Sequence, residues 1–193
     1  MDKTEMKTTP QSATYSGAAR HLHWLTAAFV IIMIPVGLYM VNRGAATNFD
    51  AITNILYDNH KLAGFTLLWI IVARLAYRFC KGAPPDDPTL TTLQKTTSHL
   101  AHWGMYALLL VVPLLGWLGI SLYPALSIHG WFSLPGLAAP NQKMSETVLM
   151  LHKLAAITLG LLVLVHIGAA LFHHLIKKDN VLRRMLPGIK QRQ

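Results

Sequence analysis

Ten histidines stand in a chain of 193 residues of which only 13% carry a charge and 53% are hydrophobic. Four of them have a spacing that suggests joint chemistry. His152 and His166 are 14 residues apart, close to four turns at 3.6 residues per turn, so both lie on nearly one face of a helix. Their separation along the axis is about 21 Å, too far for one ion to bridge. Two cofactors stacked along the helix can each take one of them, and each cofactor then needs a second histidine at matching depth. His60 opens an earlier apolar stretch at the level of His152, and His23 lies on the same half as His166. Depth alone therefore pairs His60 with His152 and His23 with His166. Two histidines per site, with Cys80 as the single cysteine, fall short of the usual structural zinc set. Haem iron takes two axial imidazoles, and helix bundles house such groups in their interiors. Gly37, Gly64, Gly104, Gly116, Gly119, Gly160 and Gly168 offer room for a flat macrocycle, or serve as ordinary small-residue contacts between membrane helices.

The elements that must position these residues are four apolar stretches. A membrane-spanning helix needs about 20 predominantly apolar residues, and the spans are expected at about 20–41, 60–79, 99–123 and 148–176. The expected fold class is therefore all-α, an integral membrane four-helix bundle forming one domain over residues 1–193. A mean hydropathy of +0.39 excludes a disordered chain, and the lone cysteine excludes a disulfide-built secreted domain. The first stretch is too long for a signal-peptide core and reads as a retained helix. Pro35 and Pro113 fall inside spans, where neighbours can satisfy the freed carbonyls.

Of the 17 Lys and Arg residues, 13 fall on the side of the termini and 4 (Arg43, Lys61, Lys143 and Lys153) on the other. The positive-inside rule then puts both termini in the cytoplasm. The net charge of +9 is a topology signal rather than a nucleic-acid patch. Residues 42–59 read as a short outer loop, 81–98 as a cytoplasmic turn built on Pro84, Pro85 and Pro88, and 124–147 as the longest outer segment. Trp131, Phe132 and Leu134 suit the membrane interface.

His23-Trp24, Asn59-His60 and the His152–His166 spacing resemble the bacterial cytochrome b561 family. The run 169–174 ending in His173-His174, then Lys178-Asp179-Asn180 and Arg183-Arg184-Met185-Leu186-Pro187, is similar to that family's C-terminal signature. The resemblance covers about residues 15–187. It implies a multi-pass protein of the bacterial inner (cytoplasmic) membrane with two haem b groups and with His23, His60, His152 and His166 as axial ligands. It also implies electron transfer from superoxide to ubiquinone, an oxidoreductase activity. The third span supplies no ligand in the family, so His99 and His102 stay unassigned, as do His129, His173 and His174. With no Cys-x-x-Cys-His motif the haems would be non-covalent.

Bis-histidine ligation fills both axial positions and leaves no open site for oxygen activation, so the expected task is electron transfer across the bilayer. Lys61 and Lys153 each follow an outer ligand. They could pair with haem propionates and draw in a small anionic donor such as superoxide, or only snorkel to the interface. A second reading makes the chain the haem-b membrane anchor of a partner redox protein, a dehydrogenase exchanging electrons with the quinone pool. A reading of another class is a histidine-lined metal or proton transporter.

Overall fold

The structure, a computed structural model, describes residues 13–188. Lys3, Lys7, Lys190 and Arg192, which entered the charge count, lie outside them. Four helices of 31 residues each form an up-and-down bundle: α1 (Gly17–Thr47), α2 (Ala51–Lys81), α3 (Thr92–Leu122) and α4 (Gln142–Phe172). At 1.5 Å per residue each is about 46 Å long, more than the roughly 30 Å hydrocarbon thickness of a bilayer. All four are long and apolar enough to cross a membrane. Large side chains such as Ile32, Leu161, Leu164 and Val165 point outward and exposed, as a helix facing lipid requires.

The helices start earlier than hydropathy suggests, because capping by polar residues carries each one past its apolar run. The Asp50 side chain caps α2 by accepting from the Thr53 amide and hydroxyl. Those bonds, the hydroxyl's first, hold its carboxyl down at about 2. Thr91 and Gln94 form a reciprocal capping box on α3, a pairing that satisfies two orphan donors, and Asn141 caps α4. The expected loop at 42–59 thus shrinks to three residues, Asn48, Phe49 and Asp50. The 124–147 segment loses its last residues to α4.

The first and last described segments meet at one end of the bundle, where the Tyr15 amide donates to the Arg184 carbonyl. A single π-turn, His173–Lys177, leads out of α4 into a tail that folds back beneath α1. Trp24 Nε1 donates to the Met185 carbonyl and Arg20 to that of Leu186. Arg184 is only 5% exposed; it donates to the carbonyls of Ala13 and Pro85 and lies over the Tyr15 ring. This one side chain ties the N-terminal segment, the α2–α3 loop and the tail together.

The opposite end is closed by a small hairpin, β1 (Ser127–Ile128) and β2 (Phe132–Ser133). Ile128 and Leu134 are buried, whereas Trp131 at the tip is 86% exposed. Leu134 therefore does not join Trp131 and Phe132 on the exposed aromatic edge. At mid-depth, Val30, Leu67, Ile71, Leu109 and Leu159 form the apolar core, with one or two residues from each helix.

Replacing Arg184 with Ala leaves two backbone carbonyls of a closed corner without their donor. A cost of about 1–3 kcal/mol is expected, seen as a lower melting temperature in detergent and faster proteolysis of both chain ends, with the helix content unchanged.

Candidate functional site

The bundle brings four of the sequence-selected histidines together as two pairs. Near the hairpin end, the rings of His60 on α2 and His152 on α4 lie 6.2 Å apart, centroid to centroid, and almost perpendicular at 87°. Near the terminal end, His23 on α1 and His166 on α4 lie 6.3 Å apart at 64°. An imidazole nitrogen sits about 2 Å from the metal it binds, so two rings facing one ion from opposite sides have centroids roughly 6 Å apart. Both pairs meet that spacing.

The hairpin-end pair is prepared for a metal-centred group. His152 Nδ1 lies 2.9 Å from the Val112 carbonyl oxygen. A carbonyl can only accept, so Nδ1 carries the hydrogen and Nε2 keeps its lone pair, the usual arrangement for a ligating histidine. The Nδ1 atom of His60 is buried without a hydrogen-bond partner among the described residues. Both rings border a cavity of about 870 Å³ that runs between the helices, near the top of the range for cofactor sites, about 300–1,000 Å³. Gly37 and Gly116 let α1 and α3 approach the rings: a Cβ on Gly37 would stand 3.0 Å from His60 Cε1, and one on Gly116 3.1 Å from His152 Cε1. An orphaned imidazole nitrogen, an oriented partner and a space of this size fit a haem.

The terminal-end pair has the same spacing but different surroundings. Arg74 Nη2 lies 2.9 Å from His23 Nδ1. A guanidinium only donates, so His23 accepts at Nδ1, and in its neutral form it carries its hydrogen on Nε2. Ligation through Nε2 requires that contact to be exchanged. His102 on α3 is a third ring here, 5.4 Å from His166. Sequence reasoning missed both residues. Arg74 reads in the sequence only as one of the 13 topology charges, and an i, i+3 spacing puts His99 and His102 on one helix face. Tertiary packing separates those two: His99 pairs with Asp86 at 3.2 Å on the surface, while His102 turns inward.

The two lysines also part company. Lys61 forms an ion pair with Asp58 at 2.7 Å and donates to the carbonyls of Ala125 and Ser127. Its charge is offset, and it latches the hairpin over the cavity. Asp58 accepts from the His129 amide on the other side, and His129 Nε2 lies 3.1 Å from Asn59 Oδ1. Lys153 is exposed, borders the same cavity and has no ion pair among the described residues. Of the other histidines, His173 pairs with Asp179 in the tail and His21 bonds the Gly17 carbonyl.

A family model described as prokaryotic cytochrome b561 matches residues 14–188. The chain is 30% identical over 177 residues to "Cytochrome b561 homolog 1" of Escherichia coli K12, covering 90% of this chain and 97% of that protein. It is 29% identical over 174 residues to "Cytochrome b561 homolog 2" of the same organism, covering 89% and 90%. It is also similar to "Probable superoxide oxidase CybB" of Yersinia pestis, at 26% identity over 174 residues, covering 90% and 96%.

The glycine contacts make the hairpin-end site separately testable. Gly37→Ala and Gly116→Ala should each push one ring of the His60–His152 pair out of place and lower cofactor content by up to half, leaving the other spectral component intact. Gly168→Ala, where a Cβ meets nothing within 4 Å, should change neither. Absorbance difference spectra and cofactor-to-protein ratios of the purified variants check this.

Proposed function

The chain belongs to the prokaryotic cytochrome b561 family, membrane haem-b electron-transfer proteins, and on that premise we propose that it holds two haem b groups and carries electrons from superoxide to ubiquinone. His60 and His152 hold one haem, and His23 and His166 the other. Both termini face the cytoplasm of a bacterium with the bundle in its inner membrane, so the hairpin end faces outward. The observation that carries the reading is the pair of facing histidine couples at two depths, each with the ring spacing of a bis-imidazole site. Each haem would supply a one-electron carrier held by two imidazoles, suited to electron transfer rather than oxygen activation. In the overall reaction two superoxide ions lose one electron each to become dioxygen, and one quinone takes two electrons and two protons to become the quinol.

The chain's own residues divide the remaining work. The Val112 carbonyl holds the His152 ring in the ligating tautomer. Asp58 and Lys61 fasten the hairpin across the outer site, which limits entry of water and of bulky donors. Lys153, with no ion pair among the described residues, presents a positive charge at the cavity where a small anion would arrive, and attraction of this kind raises the association rate. Val30, Leu67, Ile71, Leu109 and Leu159 pack as an apolar layer between the two pairs. It insulates the two sites from proton leakage while leaving them close enough for electron transfer. The same plug argues against the transporter reading, which needs a continuous polar path. The exposed Trp131 beside Phe132 would suit docking of a partner redox protein, as the membrane-anchor reading requires.

A pyridine haemochrome assay should find two non-covalent haems per chain. His60→Ala and His152→Ala should lose one spectral component, and His23→Ala and His166→Ala the other. A single haem, or loss of the same component in His60 and His23 variants, would overturn the assignment.

The two lysines should separate in kinetics. Lys153→Gln should slow reduction by superoxide several-fold and flatten its salt dependence, with both haems retained and reduction by a neutral quinol unchanged. Lys61→Gln should instead loosen the hairpin, read as faster amide exchange at residues 125–134. A Lys153→Gln protein with the wild-type rate and salt slope would remove this residue from the donor path.

A further inference from the structure

The terminal-end site contains two cations that the ligand scheme leaves unused. Arg74 and Arg78 stand one turn apart on α2, and a pocket beside the His23 site is lined by both, together with Tyr15, Tyr77 and Tyr106. Neither arginine meets a carboxylate among the described residues. The Arg74 guanidinium lies 5.1 Å from the centre of the Tyr106 ring and spends a donor on His23 Nδ1. Cations within a membrane helix are costly and ordinarily find a partner, and like charges at i, i+4 repel. A neutral imidazole is a weak partner for a guanidinium. It is also the partner that must be given up, because donation to Nδ1 leaves the hydrogen on Nε2, the atom that would face iron. Here, then, a donor-only cation occupies the ligand's wrong side, a second cation stands one turn away, and phenol hydroxyls flank both.

We propose that Arg74 and Arg78 form the cationic seat for the carboxylates of the terminal-end haem, with Arg74 exchanging His23 for a propionate when the haem enters. The inference rests on the reading that a haem sits between His23 and His166. The exchange gives Arg74 a charge-assisted, bidentate partner in place of a neutral one and frees His23 to move its hydrogen to Nδ1 and offer the Nε2 lone pair. Arg74 is thus a positioning residue with two states: it fixes the His23 ring while the site is being built and anchors the cofactor afterwards. The corresponding position at the hairpin end differs, since of the two lysines that border the cavity Lys61 is taken by Asp58 and only Lys153 has no ion pair among the described residues. The terminal-end haem would therefore sit beside two cations and the hairpin-end haem near one, so that the terminal-end haem is the one more readily reduced, downhill for electrons that enter at the hairpin end.

The test uses the purified full chain in detergent, with the terminal-end component identified by its loss in His166→Ala. Redox titration, haem-to-protein ratio and the rate of haem transfer to apomyoglobin are measured for the wild type, Arg74→Gln, Arg74→Lys and Arg78→Gln. Loss of a nearby cation favours the ferric form. Arg74→Gln should therefore lower the midpoint potential of the terminal-end component and speed its transfer by roughly tenfold, with the hairpin-end component unmoved. Arg74→Lys should restore much of the potential, and resonance Raman propionate modes should shift in Arg74→Gln and in Arg78→Gln, with the hairpin-end modes unmoved. Should Arg74→Gln not fold, Arg78→Gln reads the same potential with the same sign. A wild type with two haems whose terminal-end potential and transfer rate are indifferent to both glutamine variants overturns this inference alone, and the arginines are then only topology anchors. A wild type with a single haem, at the hairpin end, removes the underlying reading and the inference with it.

Discussion

A bilayer offers no water to its interior, so every polar group at that depth must find its partner within the protein. The rest of the bundle follows from this constraint. It turns Ile32, Leu161, Leu164 and Val165 outward and gathers five histidines and Arg74 in the space between the helices. Pairing of side chains across helices then does what hydrophobic contrast does in water. The buried Ser145 hydroxyl donates to the Gly119 carbonyl and fastens α4 to α3, while His152 reaches the Val112 carbonyl two turns further along.

The two sites sit on either side of one apolar plug. Leu159 lies midway between His152 and His166 on α4, and Val30, Leu67, Ile71 and Leu109 surround it. Above the plug the interior is open, with glycines facing the imidazoles. Below it Arg74 and His102 stand beside the His23–His166 pair. The bundle thus repeats one facing histidine pair at each end, and the surroundings of the two pairs differ in charge.

Each end of the bundle is closed by one cation that collects backbone carbonyls. Lys61 does so for the hairpin and Arg184 for the tail and the α2–α3 loop. Long flexible side chains suit this task, because they carry a charge from a helix end to loop carbonyls that have no regular partner. The C-terminal run that resembles a family signature therefore has a structural use in this chain: Arg184 anchors the tail, and the Met185 carbonyl accepts from Trp24, whose ring meets that of His23.

Hydropathy and helical periodicity determined the four helices, their antiparallel order and the two histidine couples, because burial in lipid and a repeat of 3.6 residues are properties a linear chain displays. The depth of His23, His60, His152 and His166 follows from position along a straight rod, so their pairing was legible before any packing was known. Helix ends were not, since Asp50, Thr91 and Asn141 extend the rods by side-chain caps that hydropathy does not register. The rotation of each helix and the long-range contacts of its polar residues were decided by tertiary structure alone. His99 and His102 look equivalent at i, i+3, yet one meets Asp86 and the other His166. Lys61 and Lys153 both follow a histidine, yet only Lys61 has a carboxylate at i−3 and a hairpin within reach. Arg74 reads as one more inner charge until α1 packs against α2 and brings His23 to it. What a charge does depends on the partner that folding sets beside it, and that partner lies 51 residues away in the chain for Arg74 and His23.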